Sequence, residues 1–163
     1  MTTMTRMERG QPEKVAAATT GLADILLVED DPIDAELTLR ALETSGFAER
    51  VTHVSDGSEA LDYVTSTGIY ARHTGPLPRL ILLDQNLRKL GGLQVLRTLK
   101  SNERTRTIPV IVLTSSKLAI EVVESYKLGV NSYVIKPTDG KQFADAVAAI
   151  GHYWLVVNEP PPR

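Results

Sequence analysis

Four short apolar runs in this chain each stop on polar residues: ILLVEDD (25–31), LILLDQN (80–86), VIVLTSS (110–116) and SYVIKP (132–137). Runs this short fit strands buried on both faces, as in a parallel sheet covered by helices. Their ends deliver Glu29, Asp30 and Asp84, then Thr114, then Lys136. That is a set of carboxylates, a hydroxyl and an ammonium, far apart along the chain. Only a fold that gathers strand ends at one edge brings them together.

The intervening segments supply the helices such a sheet needs. Asp31-Pro32 predicts an N-cap with proline at the first helical position, and Gly46 is expected to stop that helix. Its apolar stripes are Ile33, Leu37 and Ala41, and beside them Ala35, Leu39 and Leu42. Val51–Val54 is a second strand. Asp56-Gly57 predicts a turn into a helix near Ser58–Ser66, and Gly68–Pro78 an irregular connection. Further helices are expected around Leu93–Lys100, near Leu118–Leu128, and from Thr138 or Asp139 to about Val157, where Pro160–Pro162 forbid continuation. Strands alternating with helices in this way predict an α/β fold with a parallel sheet and right-handed crossovers. Residues 1–22 are expected to be a mobile tail with at most a short helix at Lys14–Ala18. Residues 23–157 form the one domain and 158–163 a proline-rich C-terminal tail.

Composition narrows the chemistry. The absence of cysteine among 163 residues excludes disulfides, thiol catalysis and thiolate metal sites. A net charge of −2 offers no broad basic field, so nucleic acid is not an expected partner. No apolar run approaches the roughly 18–20 residues that span a bilayer. The N-terminus lacks the apolar stretch of a signal peptide, which makes the cytoplasm the expected compartment, with no membrane partner.

In open parallel sheets, ligands bind outside the carboxyl ends of the strands, where strand order reverses. Glu29, Asp30 and Asp84 would crowd there, and crowded carboxylates are costly unless a cation joins them. Oxygen ligands without nearby histidine or cysteine select a hard ion such as Mg2+. Asp31 is the better candidate for a plain helix cap. Asp84, drawn to the sheet edge by a buried strand, can act as a nucleophile toward phosphorus. The transferring group then needs charge neutralisation and hydrogen-bond donors, which Lys136 and Thr114 can supply.

With these residues in place, the chain from about 23 to 150 resembles a response-regulator receiver domain. The resemblance implies a flavodoxin-like (βα)5 fold with strand order 2-1-3-4-5. It assigns Glu29 and Asp30 to the acidic pair, Asp84 to the phosphoacceptor, Thr114 to the switch hydroxyl and Lys136 to the invariant lysine. It further implies Mg2+ held by Asp30, Asp84 and the Asn86 backbone carbonyl, with Glu29 acting through water. Lys136-Pro137 matches the family's Lys-Pro, whose peptide bond is usually cis. Tyr133 falls at the aromatic switch position, expected to swing inward when Thr114 turns to the phosphoryl group. The chain departs from the family after Asp84: where a Pro and then Asp-Gly are common, it has Leu87-Arg88-Lys89-Leu90-Gly91-Gly92. Asn86 and Ser116 stand two residues beyond Asp84 and Thr114, at positions where receivers tune dephosphorylation.

His53, His73 and His152 show no ligand spacing, and the basic run Arg97–Arg106 lacks interleaved aromatics. The last helix carries more apolar surface than one sheet requires. Phe143, Val147, Ile150, Trp154 and Val157 make one stripe, and Ala146, Ala149, Tyr153 and Val156 another. Its excess at Tyr153, Trp154 and Val157 predicts a homodimer surface. This ending, with the Gly68–Pro78 connection, resembles the stand-alone regulators paired with bacterial phytochrome kinases.

The expected function is a single-domain response regulator. It accepts a phosphoryl group from a sensor histidine kinase, a bacteriophytochrome among the candidates, and switches a protein-interaction surface. It is a phosphoacceptor with self-phosphotransfer and autodephosphorylation chemistry, not a turnover enzyme. A haloacid-dehalogenase-like phosphatase also uses a strand-end Asp, but wants an acid where this chain has Asn86. A non-phosphorylated interaction module on the same scaffold is the remaining alternative, and such a module has no need of the acid cluster.

Overall fold

Leucine, isoleucine and valine fill β1 (Ile25–Val28), β3 (Leu80–Leu83) and most of β4 (Val110–Thr114), and each is buried along its whole length. Strands without a polar face belong in the middle of a sheet covered on both sides. β2 (Val51–Val54) and β5 (Ser132–Ile135), which mix polar with apolar residues, form the edges. The sheet is parallel, in the expected order β2-β1-β3-β4-β5, with Val28 beside Leu83 and Thr114 beside Ile135. Order reverses between β1 and β3, so their carboxyl ends frame the crevice. These coordinates are a computed structural model describing residues 24–162. The expected tail at 1–22, with its short helix, lies outside the described residues.

Period-two alternation splits each buried strand between two cores. Ile25, Leu27, Leu80 and Leu82 meet Ala41 and Leu42 of α1 (Pro32–Thr44) and Phe143, Val147 and Ile150 of α5 (Gly140–His152). Leu26, Val28, Ile81 and Leu83 meet Ala60 and Val64 of α2 (Gly57–Thr65) and Val95, Leu96 and Leu99 of α3 (Gly92–Ser101). Each such leucine, isoleucine, valine or phenylalanine contributes about 1.5–3 kcal/mol when fully buried. α4 (Ala119–Lys127) follows β4. Asp31, Asp56 and Asp139 cap α1, α2 and α5 through their side chains, and Gly46 follows α1 at φ +87°. Among the described residues no helix is long and apolar enough to cross a membrane.

Three expectations change. Ile33 is 68% exposed and Leu37 43%; α1 instead buries Ala35, Thr38, Ala41 and Leu42. The reason is that α1 shares its face with α5 and has room for only one stripe. The Thr38 hydroxyl fits this stripe because it donates to the Asp34 carbonyl at 2.8 Å.

The last helix does not run regularly to Val157. Residues Tyr153–Val157 form a wider turn, closed by Asn158 N–H donating to the Tyr153 carbonyl, an i→i+5 bond. The extra residue per turn sends Leu155 into the core, leaves Trp154 only partly buried, and turns Val156 and Val157 out.

No cis peptide bond occurs among the described residues, so Lys136–Pro137 is trans, the form ordinarily favoured by about 0.5–1 kcal/mol. The Gly68–Pro78 connection is irregular as expected beyond a short turn at Gly68–Tyr70, and aromatic contacts hold it. Tyr63 meets Tyr70 edge-on at 5.1 Å and His73 at 4.6 Å, and the Tyr70 hydroxyl donates to Glu59 at 2.8 Å. At the N-terminal edge of the sheet, Pro160–Pro162 line a groove with Pro76, Leu77, Pro78 and Pro109.

Candidate functional site

Parallel pairing continues one residue past the strands, and that sets the site. Glu29 N–H donates to Val54 at 3.2 Å, Asp84 N–H to Val28 at 3.0 Å, and Lys136 N–H to Thr114 at 2.7 Å. Each side chain therefore leaves a backbone already held by the sheet. Gly92 allows the loop after β3 to fold back on it, since a Cβ there would lie 2.5 Å from the Asp84 carbonyl oxygen.

The crevice brings Glu29, Asp30 and Asp84 together, with one carboxylate oxygen from each lying within 4.8 Å of the others. Glu29 is 2% exposed and Asp84 6%. Lys136 Nζ donates to Glu29 Oε2 at 2.7 Å and to Asp34 Oδ2 at 2.8 Å, and lies 3.7 Å from Asp84 Oδ1. Burial pushes the Glu29 pKa up to about 7; the Lys136 hydrogen bond pulls it back and the Asp84 charge adds to the rise. Burial opposes the charged form of Lys136, but Asp34, Glu29 and Asp84 together outweigh it and hold its pKa above the ordinary value. The ammonium is thus permanent. Converging oxygens, with no nitrogen or sulfur ligand among them, suit a hard divalent cation.

Thr114 is fully buried, and its hydroxyl oxygen accepts from Asn86 Nδ2 at 3.4 Å and from Ser116 N–H at 3.3 Å. Ser116 also hydrogen-bonds Glu121 through its hydroxyl and accepts from the Tyr133 hydroxyl at its carbonyl, 3.2 Å away. Burial raises the Tyr133 pKa, which keeps that hydroxyl a donor. Tyr133 is half-buried in this position. Asp31 caps α1 by accepting from Ile33 and Asp34 N–H, both at 2.9 Å, and takes no place in the cluster.

The remaining predicted residues lie elsewhere. Tyr153, Trp154 and Val157 stand at the far end of α5, where the Arg79 guanidinium, just before β3, reaches the Leu155 carbonyl at 3.5 Å. That is the edge of the sheet opposite Asp84. His53 Nε2 is 2.8 Å from the Glu29 carbonyl, a backbone contact at the site's margin.

Three residues at the site were missed. Asp34 shares Lys136, Arg88 pairs with Asp30 (N–H at 3.1 Å, Nε at 3.5 Å), and Glu121 holds Ser116. An acid in the first turn of a helix is explained by the helix dipole alone, so Asp34 carried no distinguishing signal. The positive charges after Asp84 were visible, but nothing in the sequence paired Arg88 with Asp30.

Comparison with known proteins agrees with this geometry. Residues 25–148 match the response regulator receiver domain. The chain is 39% identical over 131 residues to response regulator Rcp1 of Synechocystis sp. (strain ATCC 27184 / PCC 6803 / Kazusa), covering 80% of this chain and 88% of that one. Rcp1 in its Mn2+-bound form superposes with a TM-score of 0.78 at 38% identity, over 85% of this chain and 98% of that one. The phosphorylated cyanobacterial phytochrome response regulator RcpA superposes with a TM-score of 0.79 at 38% identity, over 85% and 97% of the two chains. The bacteriophytochrome response regulator RtBRR is 50% identical with a TM-score of 0.69, over 87% and 86%. A match running from β1 into α5, on a sheet of the same order, leaves one conclusion: the chain belongs to the response regulator receiver domain family of two-component signalling and is homologous to the phytochrome response regulators.

Proposed function

We propose that this receiver accepts a phosphoryl group on Asp84 from the phosphohistidine of a sensor kinase. The observation that carries this is the setting of Asp84, buried at the end of β3 between the Lys136 ammonium and the carboxylates of Glu29 and Asp30. An Asp84 carboxylate oxygen attacks phosphorus; the new P–O bond forms as the P–N bond breaks, and that electron pair stays on the imidazole nitrogen. Lys136 neutralises phosphoryl oxygens, and the Thr114 hydroxyl turns toward the added charge. Attack of water on phosphorus later breaks the P–O bond and regenerates the carboxylate. The residues that would hold Mg2+ are Asp30, Asp84 and the Asn86 backbone carbonyl, with Glu29 acting through water. When bound, that ion supplies charge neutralisation to the transferring group. The chain acts as a phosphoacceptor, not as a turnover enzyme.

The relatives RcpA and RtBRR support a bacteriophytochrome-type kinase as donor, and this reading assigns the chain to the cytoplasm. The exposed Tyr153, Val156 and Val157 support a homodimer through the end of α5. Intact-mass measurement after incubation with acetyl phosphate, with and without Mg2+, tests the central step. Wild type should gain one phosphoryl group only with Mg2+, and Asp84→Asn should gain none; an undiminished adduct on Asp84→Asn would sink the reading.

A further inference from the structure

Lys136 is divided between carboxylates of two kinds. Glu29 belongs to the converging group with Asp30 and Asp84, but Asp34 stands outside it, on the first turn of α1. The base of Asp34 is fixed: its N–H donates to the Asp31 cap at 2.9 Å, and its carbonyl accepts from the Thr38 hydroxyl at 2.8 Å. From that base its carboxylate takes a full hydrogen bond from Lys136 at 2.8 Å, while Asp84 is left at 3.7 Å, an ion-pair distance without a hydrogen bond. An ammonium drawn fully onto Asp84 would cap the nucleophile and repel a divalent cation. One shared with Asp34 remains close enough to meet phosphoryl oxygens and leaves Asp84 open.

We propose that Asp34 is a positioning residue for Lys136: it holds the ammonium off Asp84, keeping the acid cluster open to a divalent cation, and yields it when a phosphoryl group arrives. This rests on Asp84 being the phosphoacceptor. Asp34 acts through Lys136 and touches neither phosphorus nor Asp84. Its charge favours the cation-ready form of the site and competes with the phosphorylated one, so its removal has opposite effects on the two ligands.

The test is calorimetric titration with Mg2+, and with beryllofluoride at saturating Mg2+, on wild type, Asp34→Asn, Lys136→Met and the double variant. Glu36→Gln is the control, since Glu36 lies on the same helix but pairs with Arg40 in solvent. Asp34→Asn should weaken Mg2+ about fivefold and tighten beryllofluoride by about the same factor. In the Lys136→Met background the same substitution should change either affinity by less than about twofold, because the coupling runs through the ammonium. Glu36→Gln should move neither. Asp34→Glu, which keeps the charge on the same turn, should retain Mg2+ affinity, and it carries the test if Asp34→Asn does not fold. An unchanged Mg2+ affinity in Asp34→Asn overturns the proposal, as does an equal effect with and without Lys136, or a loss in Asp34→Glu matching that in Asp34→Asn. Wild type that binds no beryllofluoride at all removes the phosphoacceptor reading together with this one, which separates the two failures.

Discussion

Two helices of this receiver, α4 and α5, both carry several large apolar residues and are held in opposite ways. α5 drives Phe143, Val147 and Ile150 into the core between the sheet and α1. α4 buries Ser125 alone, and Ile120, Val123 and Tyr126 lie exposed, with Leu118 before them and Ile135 on the neighbouring strand. Its links to the site are polar: Glu121 to Ser116, and Ser116 to both Thr114 and Tyr133. The helix with the least core is therefore the one linked by hydrogen bonds to the buried Thr114 hydroxyl. Elements with few buried contacts open at low free energy, so a change at Thr114 needs little work to displace α4, whereas α5 resists.

The contrast predicts stability effects of very different size. Phe143→Ala should lower unfolding free energy by about 3–5 kcal/mol, whereas Val123→Ala should stay within about 0.5 kcal/mol. Urea unfolding measures both, and comparable losses would break the comparison.

Next in size is a pH effect confined to the acid edge, which α5 does not share. Glu29 has its folded pKa raised to about 7 from 4.5, so the native state binds its proton more tightly than the unfolded chain. Without Mg2+, stability should therefore fall as pH rises from about 4.5 through 7, by roughly 3 kcal/mol. Glu29→Gln should flatten that slope; an identical slope in the variant would assign it to another group.

The far end of α5 is tested by Val157→Asp. Sedimentation should show a dimeric wild type and a variant weakened about tenfold or more in self-association, with unfolding midpoints that coincide only at concentrations where both are monomeric. A monomeric wild type would remove the α5 surface from consideration. A small effect also belongs to Glu121→Gln, which weakens one hydrogen bond of about 1 kcal/mol. Amide exchange should speed up across α4 and remain unchanged in α5; equal changes in both would show that α4 is not held by that bond.

Much of this was legible because β1, β3 and β4 are apolar at nearly every position, which admits a buried parallel sheet and little else. Strand ends are then confined to one edge, and the chemistry of Glu29, Asp30, Asp84, Thr114 and Lys136 follows from their place at the ends of those runs. Asp34, Arg88 and Glu121 were not legible, because each has an ordinary explanation as a solvated charge on a helix or loop. Their significance is a contact with a residue remote in sequence. The end of α5 was misjudged in phase: a regular period puts Trp154 inward, and a single i→i+5 turn gives that place to Leu155.

The α/β architecture, the edge where chemistry collects and the residues able to perform it can be read along the chain, because hydrophobic periodicity and strand length are local properties that survive translation into three dimensions. Folding alone settles how one ammonium is divided among Glu29, Asp34 and Asp84, which apolar stripe of α1 meets the core, and which of α4 and α5 is anchored. Those outcomes depend on distances of a few tenths of an ångström between segments far apart in the chain, and no pattern along the chain encodes them.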